Sequence, residues 1–209
     1  MRSISHWTPR YVAARIRLWI GEKLRPNEPW LTHQAICLLD GLLRPKDVGI
    51  EFGAGRSTIW ISRRVSKLTS VEDNFEWYRR VSRKLQVEAL GNVDLLYRPR
   101  DVADADGAKA KYVCVLDTIQ DQSLDFVLID GIYRNHCAVR SVPKVKLGGL
   151  FVIDNVNWFL PGVTYAPNSR TMNDGPADPI WKDFANLTQN WRRIWTTNGV
   201  WDTLILVKS

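Results

Sequence analysis

Cysteine, histidine and methionine are scarce in this 209-residue chain, which holds three, three and two of them. The cysteines, Cys37, Cys114 and Cys137, are odd in number, far apart, and form no Cys-x-x-Cys pair. That excludes a disulfide framework and a structural zinc site, and it points to a reducing, cytoplasmic setting. Apolar runs are short; none approaches the roughly 18 residues that suggest a membrane span. The N-terminus lacks an apolar stretch followed by a small-residue cleavage site, so a secretory signal is not expected. Low-complexity tracts are also missing, and the length suits one well-buried domain better than two.

Basic residues and tryptophan are plentiful. The chain has 29 Lys and Arg against 22 Asp and Glu, a net charge of +7, and ten Trp. A basic balance of this size suits nucleic acid, an anionic membrane surface or an anionic substrate, without choosing among them. Tryptophan offers a flat apolar face with one donor, useful for stacking but more often buried in a core.

The spacing of apolar residues predicts a helix over Pro9–Leu24, with Val12, Ile16, Trp19 and Ile20 as one stripe flanked by Arg15 and Arg17. Thr32 reads as the N-cap of a second helix reaching about Leu43. Strand-like runs follow at Val48–Phe52, Leu68–Val71, Val93–Leu96, Phe126–Ile129 and Leu150–Ile153. Helical patterns lie between them, over Arg56–Ser66, Asn74–Ala89, Ala110–Thr118 and Arg134–Val142. This alternation implies a parallel sheet covered on both faces. Beyond Val156–Pro179, which has no clear period, come a helix over Ile180–Thr188 and two strands, Trp191–Thr196 and Thr203–Val207. Their short link at Asn198-Gly199 requires antiparallel pairing.

The run Glu51-Phe52-Gly53-Ala54-Gly55-Arg56-Ser57 follows the first strand and opens a helix. Gly53 permits a tight turn, Gly55 a close backbone approach, and the helix start offers N–H groups to an anion. Glu72 ends the second strand, 19 residues beyond Gly53, where a carboxylate can accept both hydroxyls of a ribose. A turn that serves only the chain's own geometry is the plainer reading of the glycines. The order strand, glycine turn, helix, strand, acid favours an adenosine site.

With these features the chain resembles the class I methyltransferases that use S-adenosylmethionine (SAM), from about Leu31 to the C-terminus. The resemblance implies an α/β, Rossmann-like three-layer sandwich whose mostly parallel seven-stranded sheet ends in an antiparallel pair. Residues 1–30 form a basic helical extension in this reading, and residues 31–209 the SAM-binding domain. It places Glu51, Gly53, Ala54, Gly55 and Ser57 around the methionine end of SAM, Glu72 on the ribose, Asp73 and Asp101 near the adenine, and Asp130 at the pocket wall. A nicotinamide-dependent oxidoreductase shares the glycine turn, but it has no use for an acid at Glu51 or for the terminal strand pair.

Asp130 ends the fourth strand, and Asp154 and Asn155 end the fifth. Three oxygen donors at neighbouring strand ends suit a hard cation such as Mg2+. The set is similar to that of catechol-type O-methyltransferases, although Tyr133 stands where those carry a lysine. The alternative is that Asp130 lines the cofactor pocket while Asp154 and Asn155 cap the next loop. The run from Asp130 to Cys137, with Asp154–Trp158 and Asn198–Thr203, resembles bacterial methyltransferases of polysaccharide or natural-product pathways, which implies a small-molecule or glycan hydroxyl as acceptor. Asp130 or His136 would take its proton, and Tyr133, Trp158, Tyr165 and Arg170 would line the acceptor pocket. A nucleic-acid acceptor is disfavoured, since Asp130-Gly131-Ile132-Tyr133 replaces the Asp/Asn-Pro-Pro-aromatic signature of base-amino methyltransferases. An adenosine-binding protein without turnover is the competing class. The first 30 residues carry six basic side chains against two acids. Their helix suits either packing on its own domain, with arginine stems reaching water, or peripheral contact with an anionic membrane. Oligomeric state does not follow from the sequence.

Overall fold

Two-residue alternation along the central strands sends apolar side chains to both faces of one sheet, and helices cover each face. The computed structural model describes residues 7–209. The strands are β1 (Val48–Phe52), β2 (Lys67–Glu72), β3 (Val93–Tyr97), β4 (Leu124–Ile129), β5 (Val145–Asp154), β6 (Arg192–Thr197) and β7 (Asp202–Val207). They lie in the order β3-β2-β1-β4-β5-β7-β6, with β7 antiparallel to both β5 and β6 and all other pairs parallel. The sequence-based expectation of a mostly parallel seven-stranded sheet with an antiparallel ending is therefore met.

The helices are α1 (Pro9–Leu24), α2 (His33–Leu42), α3 (Arg56–Ser62), α4 (Phe75–Val87), α5 (Lys111–Cys114), α6 (Arg134–Ser141) and α7 (Pro179–Leu187). On one face Phe52, Val127, Ile129, Phe151 and Ile153 pack with Tyr112, Cys137, Trp181 and Phe184 of α5, α6 and α7. On the other, Phe126, Leu128, Val152 and Ile205 pack with Ile36 and Leu39 of α2 and Trp60 and Ile61 of α3. Two helices are shorter than their sequence patterns. α3 stops at Ser62, and the stretch expected over Ala110–Thr118 is one α-turn continued by a 3-10 turn, Val115–Thr118.

Helix α1 has the bounds expected from its pattern. No residue of α1 is buried, and the Val12, Ile16, Trp19 and Ile20 stripe faces outward. Half-buried Tyr11, Ala14 and Leu18 turn toward the domain instead.

The antiparallel ending is tied to the rest by buried hydroxyls. Thr32, the N-cap of α2, donates its N–H to Thr203 Oγ1 (3.1 Å), and its hydroxyl meets that of Thr196. Thr203 in turn donates to Asp154 Oδ1 at 2.7 Å. One side chain thus joins α2, β7 and the end of β5. Thr203→Val keeps the shape and removes both bonds, leaving a buried N–H and a buried carboxyl oxygen unpartnered. We expect a loss of about 2 kcal/mol, read as a lower denaturant midpoint with an unchanged slope.

Candidate functional site

Glycine makes the turn after β1 possible. Gly53 has φ +100°, and a Cβ there would meet the Gly131 nitrogen at 2.8 Å. The bend and the start of the segment after β4 therefore pass in direct backbone contact. Gly131 is as constrained, since a Cβ on it would lie 1.9 Å from the Tyr112 hydroxyl.

Two carboxylates hold this bend. Glu72 Oε2 accepts the Ala54 N–H at 2.9 Å, and its Oε1 accepts the Asn74 N–H at 2.8 Å. From the other side, Glu51 Oε1 accepts the hydroxyls of Ser70 (2.7 Å) and Thr58, and Thr58 accepts the Gly55 N–H at 2.8 Å. Glu51 is fully buried and Oε2 has no partner. Burial is the main cause that raises its pKa to about 7, against the opposing hydroxyls. Burial also raises Glu72 and Asp73, with backbone N–H groups and, for Asp73, Arg100 working the other way.

Above the bend lies a cleft of about 310 Å³, lined by Gly53, Ala54, Gly55, Ser57, Glu72, Asp73, Asp130 and Gly131. Six residues expected at a cofactor thus share one concavity with Asp130. Glu51 lies behind the bend and does not line the cleft. Asp101 does not line it either; it is exposed and accepts the first N–H of α5, from Lys111. Sequence reasoning passed over Trp30 and Trp77, whose stacked rings, 6.1 Å apart, flank the opening, with Arg56 over Trp30. Trp77 is fixed by its indole N–H donating to the Ala54 carbonyl. Their one signal was position, just before the α2 cap and at the start of α4.

A second cleft, about 380 Å³, adjoins the first and shares Asp130 and Trp30 with it. Its other walls include Asp154, Asn155, Trp158, Asn168, and Tyr11, Arg15 and Glu22 of α1. Of the residues expected at an acceptor, Trp158 is here and three are not. Tyr133 has a left-handed backbone (φ +48°) that turns its ring into the core, where its hydroxyl donates to the Val102 carbonyl. Tyr165 lies exposed under Arg10, 3.7 Å from its ring centre. Arg170 binds the carbonyls of Asp174 and Gly175, bracing its own loop. His136, expected at the surface or as a base, is buried against Gly107, with Nε2 unpartnered, and lines neither cleft.

The strand-end acids carry the chief surprise, Arg134. Its guanidinium donates to Asp130 Oδ1 (2.8 Å), Asn155 Oδ1 (3.3 Å) and the carbonyls of Asp130, Gly131 and Asp154 (2.6–2.9 Å). It thus engages one carboxylate oxygen of Asp130 and the side-chain oxygen of Asn155, but only the backbone carbonyl of Asp154, whose carboxyl accepts from Thr203 instead. Its charge, 2.8 Å from Asp130 Oδ1, opposes a divalent cation there. The set does not fit Mg2+. Burial raises the Asp130 pKa while Arg134 lowers it; burial and then the neighbouring Asp130 charge push Asp154 well above the carboxylate range.

No protein-family model matches this sequence, and no curated protein is significantly similar to it. Solved structures are. SMU.1697c from Streptococcus mutans, a candidate methyltransferase solved in complex with SAH, superimposes with TM-score 0.57 at 10% identity, over 87% of this chain and 99% of that one. An rRNA methylase from Streptococcus thermophilus gives 0.56 at 10%, over 85% and 95%. A candidate caffeoyl-CoA O-methyltransferase from Staphylococcus aureus gives 0.56 at 14%, over 98% and 95%. The chain has the Rossmann-like methyltransferase fold.

The buried Glu51 carboxyl makes stability depend on pH. It titrates near 4.5 when free and at about 7 in the fold, so the native state holds its proton more tightly. Stability from this group is full below about pH 4.5 and is lost as pH rises through about 7, by roughly 3 kcal/mol in total. Glu51→Gln, neutral throughout, should flatten that slope in denaturant titrations between about pH 5 and pH 8.

Proposed function

We propose that the chain is a SAM-dependent methyltransferase acting on a hydroxyl of a small molecule or glycan, in a cytoplasmic setting. The observation that carries this reading is the position of Asp130, at the junction of a cleft rimmed by Gly53–Gly55, Glu72 and Asp73 and a second cleft suited to an acceptor. SAM, when bound, supplies an electrophilic methyl group on a sulfonium. The backbone of the bend approaches the methionine end without an intervening Cβ. Each Glu72 oxygen accepts one backbone N–H and keeps a lone pair for a ribose hydroxyl. Asp73 extends the acidic rim toward the adenine. Trp30 and Trp77 offer flat apolar walls that exclude water from the opening.

In the second cleft, Asp130 is the group placed to take the acceptor proton. Burial raises its pKa and with it the basicity of its carboxylate, and Arg134 keeps that carboxylate oriented. Positioning supplies much of the rate in an in-line transfer from a cationic sulfur. No step in this account uses a metal.

Net charge +7 and the likeness to an rRNA methylase favour a nucleic-acid acceptor as the second reading. A labelled-methyl assay against hydroxylated small molecules, glycans and rRNA separates them. Tight SAM binding with no turnover on any of these would instead indicate a binding protein.

Two outcomes are expected. Glu72→Ala should weaken SAM binding by about 1.5–3 kcal/mol, at least tenfold, in calorimetry. An unchanged affinity removes Glu72 from the ribose site. Thorough chelation should leave turnover unaltered, because the Arg134 cation sits on the Asp130 carboxylate and the Asn155 side chain; a loss restored by Mg2+ would overturn that assignment.

A further inference from the structure

Helix α1 has two apolar sides, and its own domain uses one. Tyr11, Ala14 and Leu18 face inward; Ala14 approaches Gly199 so closely that a Cβ on the glycine would lie 3.0 Å from its methyl. On the opposite side Val12, Ile16, Trp19, Ile20 and Leu24 are 37–74% exposed. Their spacing of three and four residues makes one continuous strip about four turns long. Trp7, also exposed, stands just before it. An apolar strip this continuous is unusual on a free surface and implies something that covers it.

The charges around the strip identify the cover. Arg10 and Arg17 border one edge, Arg15 the other, and Lys23 lies within it; all four are exposed. The acid of this helix, Glu22, is turned to the second cleft and half-buried. Two copies of this face brought together would oppose like charges. RNA would gain nothing from Ile16 and Ile20. A bilayer bearing anionic headgroups answers both features: aliphatic side chains enter the acyl boundary, arginine and lysine reach the phosphates, and tryptophan sits at headgroup level. No helix among the described residues is long and apolar enough to cross a membrane, so α1 would lie in the surface plane.

We infer that the outward side of α1 docks this protein on anionic phospholipid membrane surfaces. The inference is independent of the chemistry in the clefts.

Sedimentation of the whole chain with vesicles tests it, using phosphatidylcholine alone and phosphatidylcholine mixed with phosphatidylglycerol. Binding should require phosphatidylglycerol and weaken as salt rises. The pair Ile16→Glu and Ile20→Glu should cut binding at least tenfold with an unchanged melting temperature, since neither side chain is buried. Lys23→Glu should weaken it less and reduce the salt dependence. Failure to bind anionic vesicles, or equal binding by the double variant, overturns the proposal. So does concentration-dependent dimerisation without lipid that Ile16→Glu abolishes, which would make the strip an interface between copies.

Discussion

Everything at the carboxyl end of the sheet depends on two carboxylates gripping one bend from opposite sides. Glu72 takes the Ala54 N–H directly, and Glu51 reaches the Gly55 N–H through the Thr58 hydroxyl. A backbone segment with φ +100° at Gly53 has few side chains of its own to pack, so without these acceptors its N–H groups would be free to rearrange. The two acids bear different costs. Glu72 stands at the cleft and is met by two backbone donors. Glu51 is sealed, with one oxygen unpartnered, and holds its proton up to about neutral pH. Fixing the shape of the turn and facing a ligand are thus divided between residues that look interchangeable in sequence.

Arg134 performs the matching task for β4 and β5. Parallel strands end in carbonyls that nothing in the sheet satisfies, and here one planar guanidinium collects three of them together with two side-chain oxygens. Left-handed residues at Asn155, just past β5, and at Tyr133, just before α6, turn the chain on either side of this guanidinium. A tyrosine in that conformation carries backbone strain of about 1–2 kcal/mol, offset by burial of its ring. A fixed organic cation in this place ties the ends of β4 and β5 to the start of α6.

How much of this the sequence disclosed follows from the range of each interaction. The strands, the turn after β1 and Glu72 at the end of β2 were legible because alternation, glycine spacing and distance along the chain are local properties. The antiparallel ending was legible because a short link permits no other pairing. Arg134 was not: its four-residue spacing from Asp130 is visible, but its bonds to Asp154 and Asn155 exist only once β4 and β5 are neighbours. The inward turn of the Tyr133 ring and the burial of His136 were not legible, because the left-handed conformation of Tyr133 sets the start of α6, and a 3.6-residue period does not encode it. Sequence located the apolar stripe of α1 correctly but could not say which of two apolar sides the domain would claim. Trp30 went unnoticed for a simpler reason, lying in the link between the first two helices, where no periodicity assigns it a face.

That same Trp30 ring is a wall of both clefts, stacked on Trp77 at one and facing Asp130 at the other. A partition shared by two chambers cannot move for one occupant without reshaping the other. In the proposed reading the adenosyl and acceptor chambers share a single indole as a wall, so a turn of that ring would alter the shape of both at once.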